Sequence, residues 1–424
     1  MTSKDWVSTE KQDKNSDQIE ELNYPKIRFN FEGKWVEKSL RDICSFYKGK
    51  GISKNDISSE GVSCIRYGEL YTTYDELISE VNSKTNLPEN ELILSEKNDI
   101  LMPCSGETAI DLATASCILE EGVAIGGDIT IIKTNQYAPF ITYYLNVKKN
   151  EIAKYAQGVS IVHLYSKDFQ NLKIKIPSFK EQLIIVNLLK KLQKKIDLME
   201  KKYTTLQKYK NGLMQKIFEN KIGFSLNDWI VKKLNEITFF QEGPGVRNYQ
   251  YTKEGVRLLN VGNFVKNEIK FNTDRHISEE EAYGKYKHFL VDEGDLLIAC
   301  SGIKAEYFNE KIAFAKSKHL PLCMNTSTMR FKSLNTNFLS LYYLKYFLQT
   351  EIFKKQVFKV LTGSAQFNFG PTHIKYFRIP IPPLEEQEKI ADFLSEIDNK
   401  IDSVEQQLEK IKEFKKYLLQ QMFV

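Results

Sequence analysis

Histidine is scarce in this 424-residue chain, and the five present, His163, His276, His288, His319 and His373, fall at no metal-ligand spacing. The six cysteines, Cys44, Cys64, Cys104, Cys117, Cys300 and Cys323, form no CxxC pair, which removes a zinc ribbon and a thiol redox centre and suits free thiols in a reducing cytoplasm. No phosphate-binding GxxxxGK[ST] loop occurs, so nothing in the sequence argues for nucleotide hydrolysis. Ser105 and Ser301 each precede glycine, yet neither lies in GxSxG and the sequence identifies no base for either; a turn after a strand is the expectation. Ile381-Pro382-Pro383-Leu384 lacks the polar and aromatic residues that surround a base in amino-methyltransferases, and Pro25, Glu32 and Lys34 imitate a nuclease spacing without the acid that should follow the proline. The densest apolar run, Leu183 to Leu189, is broken by Asn187 and far short of the roughly 20 residues that cross a bilayer. Met1 to Glu21 is polar and charged, with no apolar stretch for a signal peptide. No catalytic or metal centre and no membrane role are therefore expected.

What is present is enough apolar and aromatic residue (42% and 12%) to build more than one core, so two domains are expected. The net charge of +5 permits a polyanionic partner without requiring one.

The chain repeats itself, which reveals architecture before any single motif does. Trp35 and Leu40 recur 194 residues later as Trp229 and Leu234, and Gly49-Lys50-Gly51 recurs at the same offset as Gly243-Pro244-Gly245. Asp99-Ile100-Leu101 with Cys104-Ser105-Gly106 matches Asp295-Leu296-Leu297 with Cys300-Ser301-Gly302 at an offset of 196. Ile176-Pro177 with Glu181-Gln182 matches Ile381-Pro382 with Glu386-Gln387 at 205, and from there to Phe218 and Phe423 the register does not slip. Insertions accumulate in loops and not in a continuous helix. Each half thus reads as a β-rich mixed region followed by a long helix. Strands are expected around Cys64-Ile65, Asp99 to Met102, Ile129 to Ile132 and Asp295 to Ala299, and helical insertions at Pro139 to Val147 and Phe338 to Phe358.

In the first long helix Ile185, Leu189, Leu192, Ile196, Met199, Tyr203 and Leu206 alternate spacings of four and three; Ile390, Leu394, Ile397, Ile401, Val404, Leu408 and Ile411 repeat the pattern 205 residues on. Both seams meet lysine at the next slot, Lys210 and Lys415. Ser178 to Phe218 carries a net +7 and Pro383 to Phe423 a net −4, which favours pairing of these helices with each other over self-pairing. At 1.5 Å per residue each would be roughly 60 Å long, and an antiparallel pair would act as a spacer. Glu181, Glu385, Glu386 and Glu388 suit the positive end of a helix dipole. The fold class expected is α+β with a pseudo-twofold internal repeat: an N-terminal tail (1–33), a first mixed domain (34–177), helix (178–220), a second mixed domain (221–381) and helix (382–424), the domains separated by an antiparallel coiled coil.

These features, the duplicated I-P-x-x-x-E-Q helix openings, paired coiled-coil helices, D-[IL]-L strands ending in C-S-G, and Thr362-Gly363-Ser364-Ala365-Gln366 before the second helix, resemble the specificity subunit of Type I restriction-modification systems over nearly the whole chain after the tail. The resemblance implies a non-enzymatic, cytoplasmic reader of double-stranded DNA, whose two target-recognition domains each bind half of a split site. It also implies docking of two methyltransferase subunits on the helices, to which endonuclease-translocase subunits add. S-adenosylmethionine, ATP and Mg would serve those partners, with no cofactor in this chain. The first half departs from the pattern at Gly158-Val159-Ser160-Ile161, where Ile161 stands opposite Gln366, so a DNA contact from this loop is expected for Gln366 in the second half.

Reading a base needs donors and acceptors carried into the major groove, while lysines and backbone amides grip phosphate. The glycine turns place Ser53 and Lys54 in one half and Arg247 and Asn248 in the other, with Lys48, Lys50, Tyr249 and Tyr251 close by, and Arg66 and Asn260 after the next strand. These are the DNA-binding candidates. Residues 34–177 sum to −3 and 221–381 to +8, so the first domain needs a local basic patch or help from partners. The competing functions are an autonomous DNA-modifying enzyme and a coiled-coil adaptor that binds only proteins.

Overall fold

The computed structural model describes residues 7–8, 25–158, 160–219, 229–271, 275–360 and 368–423. Two compact units emerge, one made of residues 1–199 and 407–424, the other of 200–406, so that each long helix gives one part of its length to each unit.

In the first unit the main sheet runs in the order Cys44–Lys48, Ile129–Thr134, Ile100–Pro103, Ser116–Ile118 and Leu77–Ile78. Ile100–Pro103 is buried throughout, which explains why it reads as a continuous apolar run instead of an alternation. A smaller sheet orders Ala124–Ile125, Val62–Ile65, Ser83–Thr85 and Ile57–Ser58, and a ribbon of Val36–Ser39 with Lys173–Ile176 leads into the first long helix, Phe179–Phe218. The second unit repeats the plan. Its main sheet runs Thr238–Glu242, Thr328–Ser333, Leu296–Ala299, Ile312–Phe314; its small sheet runs His276–Ile277, Val256–Leu259, Leu322–Met324. Ile230–Lys233 pairs with Arg378–Ile381 ahead of the second long helix, Leu384–Met422. The α+β reading with two repeated mixed units holds.

One expectation changes. The insertion expected at Phe338 to Phe358 is two helices, Leu341–Leu348 and Glu351–Val360. Thr350 divides them, its hydroxyl donating to the Phe347 carbonyl (2.6 Å) and accepting from the Phe353 amide (3.2 Å), an N-cap inside an otherwise apolar pattern. Within the expected tail, Arg28 and Phe29 are buried, and the Arg28 guanidinium grips both Glu181 carboxylate oxygens at 2.8 Å.

Glu181 also explains the helix-opening motif. It is 1% exposed and turns inward, accepting from the Trp35 indole at 3.3 Å; Glu386 accepts from Trp229 at 3.1 Å. Gln182 donates to the Pro177 carbonyl and accepts from the Tyr137 amide, and Gln387 repeats this with Pro382 and Ser340. The Glu-Gln pair therefore ties each long helix to the domain before it by satisfying buried polar groups. The dipole argument fits Glu385, which is exposed beside Lys389.

The helix seams are buried at Ile185, Leu189 and Ile196, and at Ile390, Leu394, Ile397, Ile401, Val404 and Leu408. In the first unit Ile185 and Leu189 share a core with Leu418, Met422 and Phe423; in the second, Met214, Ile217 and Phe218 share one with Ile390, Leu394 and Ile397. Lys415 Nζ lies 2.7 Å from Gln193 and 3.0 Å from Glu76, over the Tyr143 ring. Lys210 Nζ lies 2.5 Å from Asp398, over Tyr346. In both units the segments run antiparallel, and a seam lysine is neutralised against the opposite helix or its domain. A lone polar group in an apolar seam fixes register, since any slip would strand its charge.

Candidate nucleic-acid interface

The glycine turns follow the first strand of each main sheet. A Cβ on Gly49 would stand 2.1 Å from the Gly126 carbonyl oxygen, and one on Gly243 2.3 Å from that of Asn325, whereas Gly51 and Gly245 face open space. Only the first glycine of each turn is sterically required, because backbone packs on backbone there. Gly49→Ala is expected to cost roughly 1–3 kcal/mol, and Gly51→Ala less than about 0.5 kcal/mol, in thermal unfolding of the purified chain.

Behind the turns stand two short 3-10 helices, Lys54–Asp56 and Asn248–Gln250. The Ser53 amide donates to the Asp56 carboxylate at 2.7 Å, and the Arg247 amide donates to the Gln250 side chain at 3.0 Å. These bonds occupy equivalent positions, 194 apart, and hold equivalent tips. The first tip presents Ser53, Lys54 and Asn55, and the second Arg247, Asn248 and Tyr249, all exposed. Tyr249 is 86% exposed, the most of any large apolar side chain in the described residues. A ring held out on an ordered turn between an amide and a glutamine has nothing in its own unit to bury it. Lys48 and Lys50 are exposed as well.

Other candidates are less free. Arg66 is half-buried, its amide bonded to Glu69 at 2.8 Å and its guanidinium 3.8 Å from the same carboxylate. Asn260 spends its side chain internally, donating to the Leu258 carbonyl at 3.2 Å and accepting from Asn325 at 2.9 Å. Tyr251 packs on the small core behind the turn with the Arg275 guanidinium over its ring. Gln366 and the rest of Thr362–Gln366 lie outside the described residues.

The repeated serines have partners that the sequence did not reveal. The Ser105 hydroxyl is 3.0 Å from His163 Nδ1, and Ser301 donates to Asn368 Oδ1 at 2.8 Å. His163 and Asn368 are equivalent at the offset of 205. An asparagine that fills the histidine's place cannot act as a base, so the repeated feature is a tie between the C-S-G strand and the segment that precedes the ribbon, not a nucleophile pair. Alanine at Ser105 and Ser301 is expected to cost about 0.5–1.5 kcal/mol each, checked by thermal unfolding of the purified chain.

The D-[IL]-L signature is also structural. Asp99 accepts from the Glu96 amide at 2.8 Å and pairs with Lys133 at 3.3 Å; Asp295 accepts from the Asp292 amide at 3.0 Å and pairs with Lys332 at 3.1 Å. Burial raises the Asp99 carboxyl above its ordinary pKa against the pull of these bonds. Burial also pushes the Cys44 and Cys64 thiols up to about 11, away from thiolate chemistry. Among the described residues no cluster of three histidine, cysteine or acidic side chains could hold a metal, and no helix is long and apolar enough to cross a membrane.

Two copies of one plan match the family model for the Type I restriction modification DNA specificity domain, at residues 32–208 and 227–413. The chain belongs to this family. It is 27% identical over 405 residues to the Type I restriction enzyme MjaVIII specificity subunit of Methanocaldococcus jannaschii, covering 91% of each chain. It is 27% identical over 312 residues to a putative MjaX specificity subunit of the same organism, covering 67% of each. The fold matches the Type I S subunit from M. genitalium with a TM-score of 0.61 at 15% identity, over 95% of this chain and 99% of that one. A chain solved in work on complex assembly and conformational transition of the type I R-M system matches with a TM-score of 0.57 at 17% identity, over 91% and 96%. As a specificity-family chain, this protein is a DNA-recognition subunit with two specificity domains.

Proposed function

We propose that the chain is the non-catalytic reader of a cytoplasmic Type I restriction-modification complex, in which the domains at 34–177 and 221–381 each recognise one half of a split double-stranded DNA target. The observation that carries this reading is the pair of equivalent turns: one scaffold, fixed by the same backbone bond, displays Ser53, Lys54 and Asn55 in one unit and Arg247, Asn248 and Tyr249 in the other. Equal placement with different donors and acceptors suits two half-sites of different sequence. Lys48 and Lys50 add phosphate contacts. Arg66 and Asn260, already bonded internally, would orient the turn and not enter a groove. The long helices serve as the spacer that sets the unread gap and dock two methyltransferase subunits, with endonuclease-translocase subunits joining the full complex. S-adenosylmethionine, ATP and Mg belong to those partners.

Mapping methylated sites in cells that carry the intact system tests this. A bipartite motif that changes in one half when residues 34–177 are exchanged for those of a relative supports the division. A continuous motif, or one that changes throughout, contradicts it. Methyl transfer by the pure chain would point instead to an autonomous enzyme, and a failure to discriminate sequences with methyltransferase present would point to an adaptor.

A further inference from the structure

The small sheets of the two units share a pairing pattern beyond the repeated motifs. Leu94 bridges Ala124 in the first unit and Leu290 bridges Cys323 in the second, while Ala124 pairs with Cys64 and Cys323 with Leu258. The offset at Leu94 and Leu290 is 196. In the segment ahead of the bridge, the Glu91 amide donates to the Pro88 carbonyl in the first unit (2.9 Å) and the Lys287 amide to the Gly284 carbonyl in the second (3.3 Å). Glu89 and Glu91 lie in this segment of the first unit and Lys285 and Lys287 in that of the second, and all four are exposed. The turn ahead of the bridge carries two negative charges in one unit and two positive charges in the other.

The turn borders the candidate reading tip in both units. In the second, Gln250 of the tip donates to the Tyr286 hydroxyl at 3.0 Å and to Glu281 at 2.6 Å, and Tyr286 sits between the two lysines, with Lys285 Nζ 5.0 Å from its ring centroid. In the first, Leu87 and Leu92, which flank the acidic turn, pack on the small core of Ile52, Cys64 and Ala124, together with Ile57 just after the tip. Resting on the DNA-reading proposal above, we infer that Lys285 and Lys287 form a phosphate-gripping edge beside the second unit's tip, that Glu89 and Glu91 replace it with a repelling edge in the first, and that the two half-sites are therefore held unequally. The second unit supplies the larger share of the salt-dependent grip, and the first adds to it only through Lys48 and Lys50 while its edge opposes the backbone. Phosphate contacts position DNA without carrying sequence information, so the edge affects affinity and leaves the recognised sequence alone.

The test measures binding of the full chain to a duplex across a salt series by fluorescence anisotropy. Removing one lysine that neutralises a phosphate lowers the slope of log affinity against log salt by about 0.9. Lys285→Gln/Lys287→Gln is expected to lower the slope by nearly two, and Glu89→Lys/Glu91→Lys to raise both affinity and slope. Lys355→Gln/Lys359→Gln removes the same charge from exposed positions of the second unit, on the helix Glu351–Val360, and should leave the slope unchanged. Equal slopes for the two glutamine pairs, or no gain from the lysine pair, would overturn the inference, as would a failure of the wild-type chain to bind any duplex at low salt. The methylation motif of the assembled system separates the two claims. An unchanged bipartite motif with K285Q/K287Q leaves the reading proposal standing whatever the slopes do, and a continuous motif in the wild type sinks that proposal by itself.

Discussion

Replacing Arg247 and Tyr249 together with alanine is expected to abolish recognition of one half-site while the protein remains folded. Both side chains are exposed on a turn whose geometry is set by the Arg247 backbone amide and Gln250, and neither substitution touches that bond. A guanidinium that bonds a guanine bidentately discriminates by about 1–3 kcal/mol, roughly 5- to 150-fold in affinity, and removal of the neighbouring aromatic ring adds to the effect. Genome-wide methylation in a strain carrying this variant should lose its dependence on one half of the motif and keep the other. A motif lost in full, or retained in full, would contradict the assignment of this tip. A melting temperature equal to that of the wild type is the accompanying control, because exposed substitutions away from caps and cores usually stay within about 0.5 kcal/mol.

The largest effect on stability is expected at Glu181. Its carboxylate is 1% exposed, bonded to Nε and Nη2 of a buried guanidinium and to the Trp35 indole. Glu181→Gln keeps the volume and an acceptor for the indole but removes the charge that Arg28 faces. Breaking one side of a buried pair costs roughly 3–5 kcal/mol, because the remaining charge stays desolvated. For a unit of this size that is a fall of roughly 10 °C in the midpoint of thermal unfolding. Glu37→Gln, which removes an exposed partner of Lys173, should leave the midpoint in place. The double variant Arg28→Met/Glu181→Leu should recover most of the loss, since an apolar pair of similar volume often replaces a buried ion pair without penalty. A midpoint for Glu181→Gln equal to that of the wild type would show that the pair does not anchor the first helix.

The duplication, the helix seams and their lysines were legible because period and offset survive in one dimension. Lys210 and Lys415 broke both apolar patterns at the same slot; Lys210 is neutralised by Asp398 of the opposite helix and Lys415 by Glu76 of the first unit. The glycine turns were legible as turns, but only the structure separated the sterically required Gly49 from the unconstrained Gly51. Arg66 and Asn260 looked equivalent to Lys54 and Arg247 in the sequence. Their partners, Glu69 close by in the chain and Asn325 65 residues away, determine whether a polar side chain faces outward or is spent. The histidine and asparagine that hold the two repeated serines were missed because 58 and 67 residues separate them from those serines, and the residue type changes between halves.

By itself the sequence determined that there are two copies of one α+β unit, each continued by a long amphipathic helix, since apolar periodicity is a local property that folding cannot change. Tertiary structure decided which polar residues are consumed in holding each unit together and which stay exposed. That division depends on hydrogen bonds between strands and turns far apart in the chain, and it gave Glu181, Gln182 and Asp99 internal tasks while leaving Arg247, Tyr249, Lys285 and Lys287 facing water.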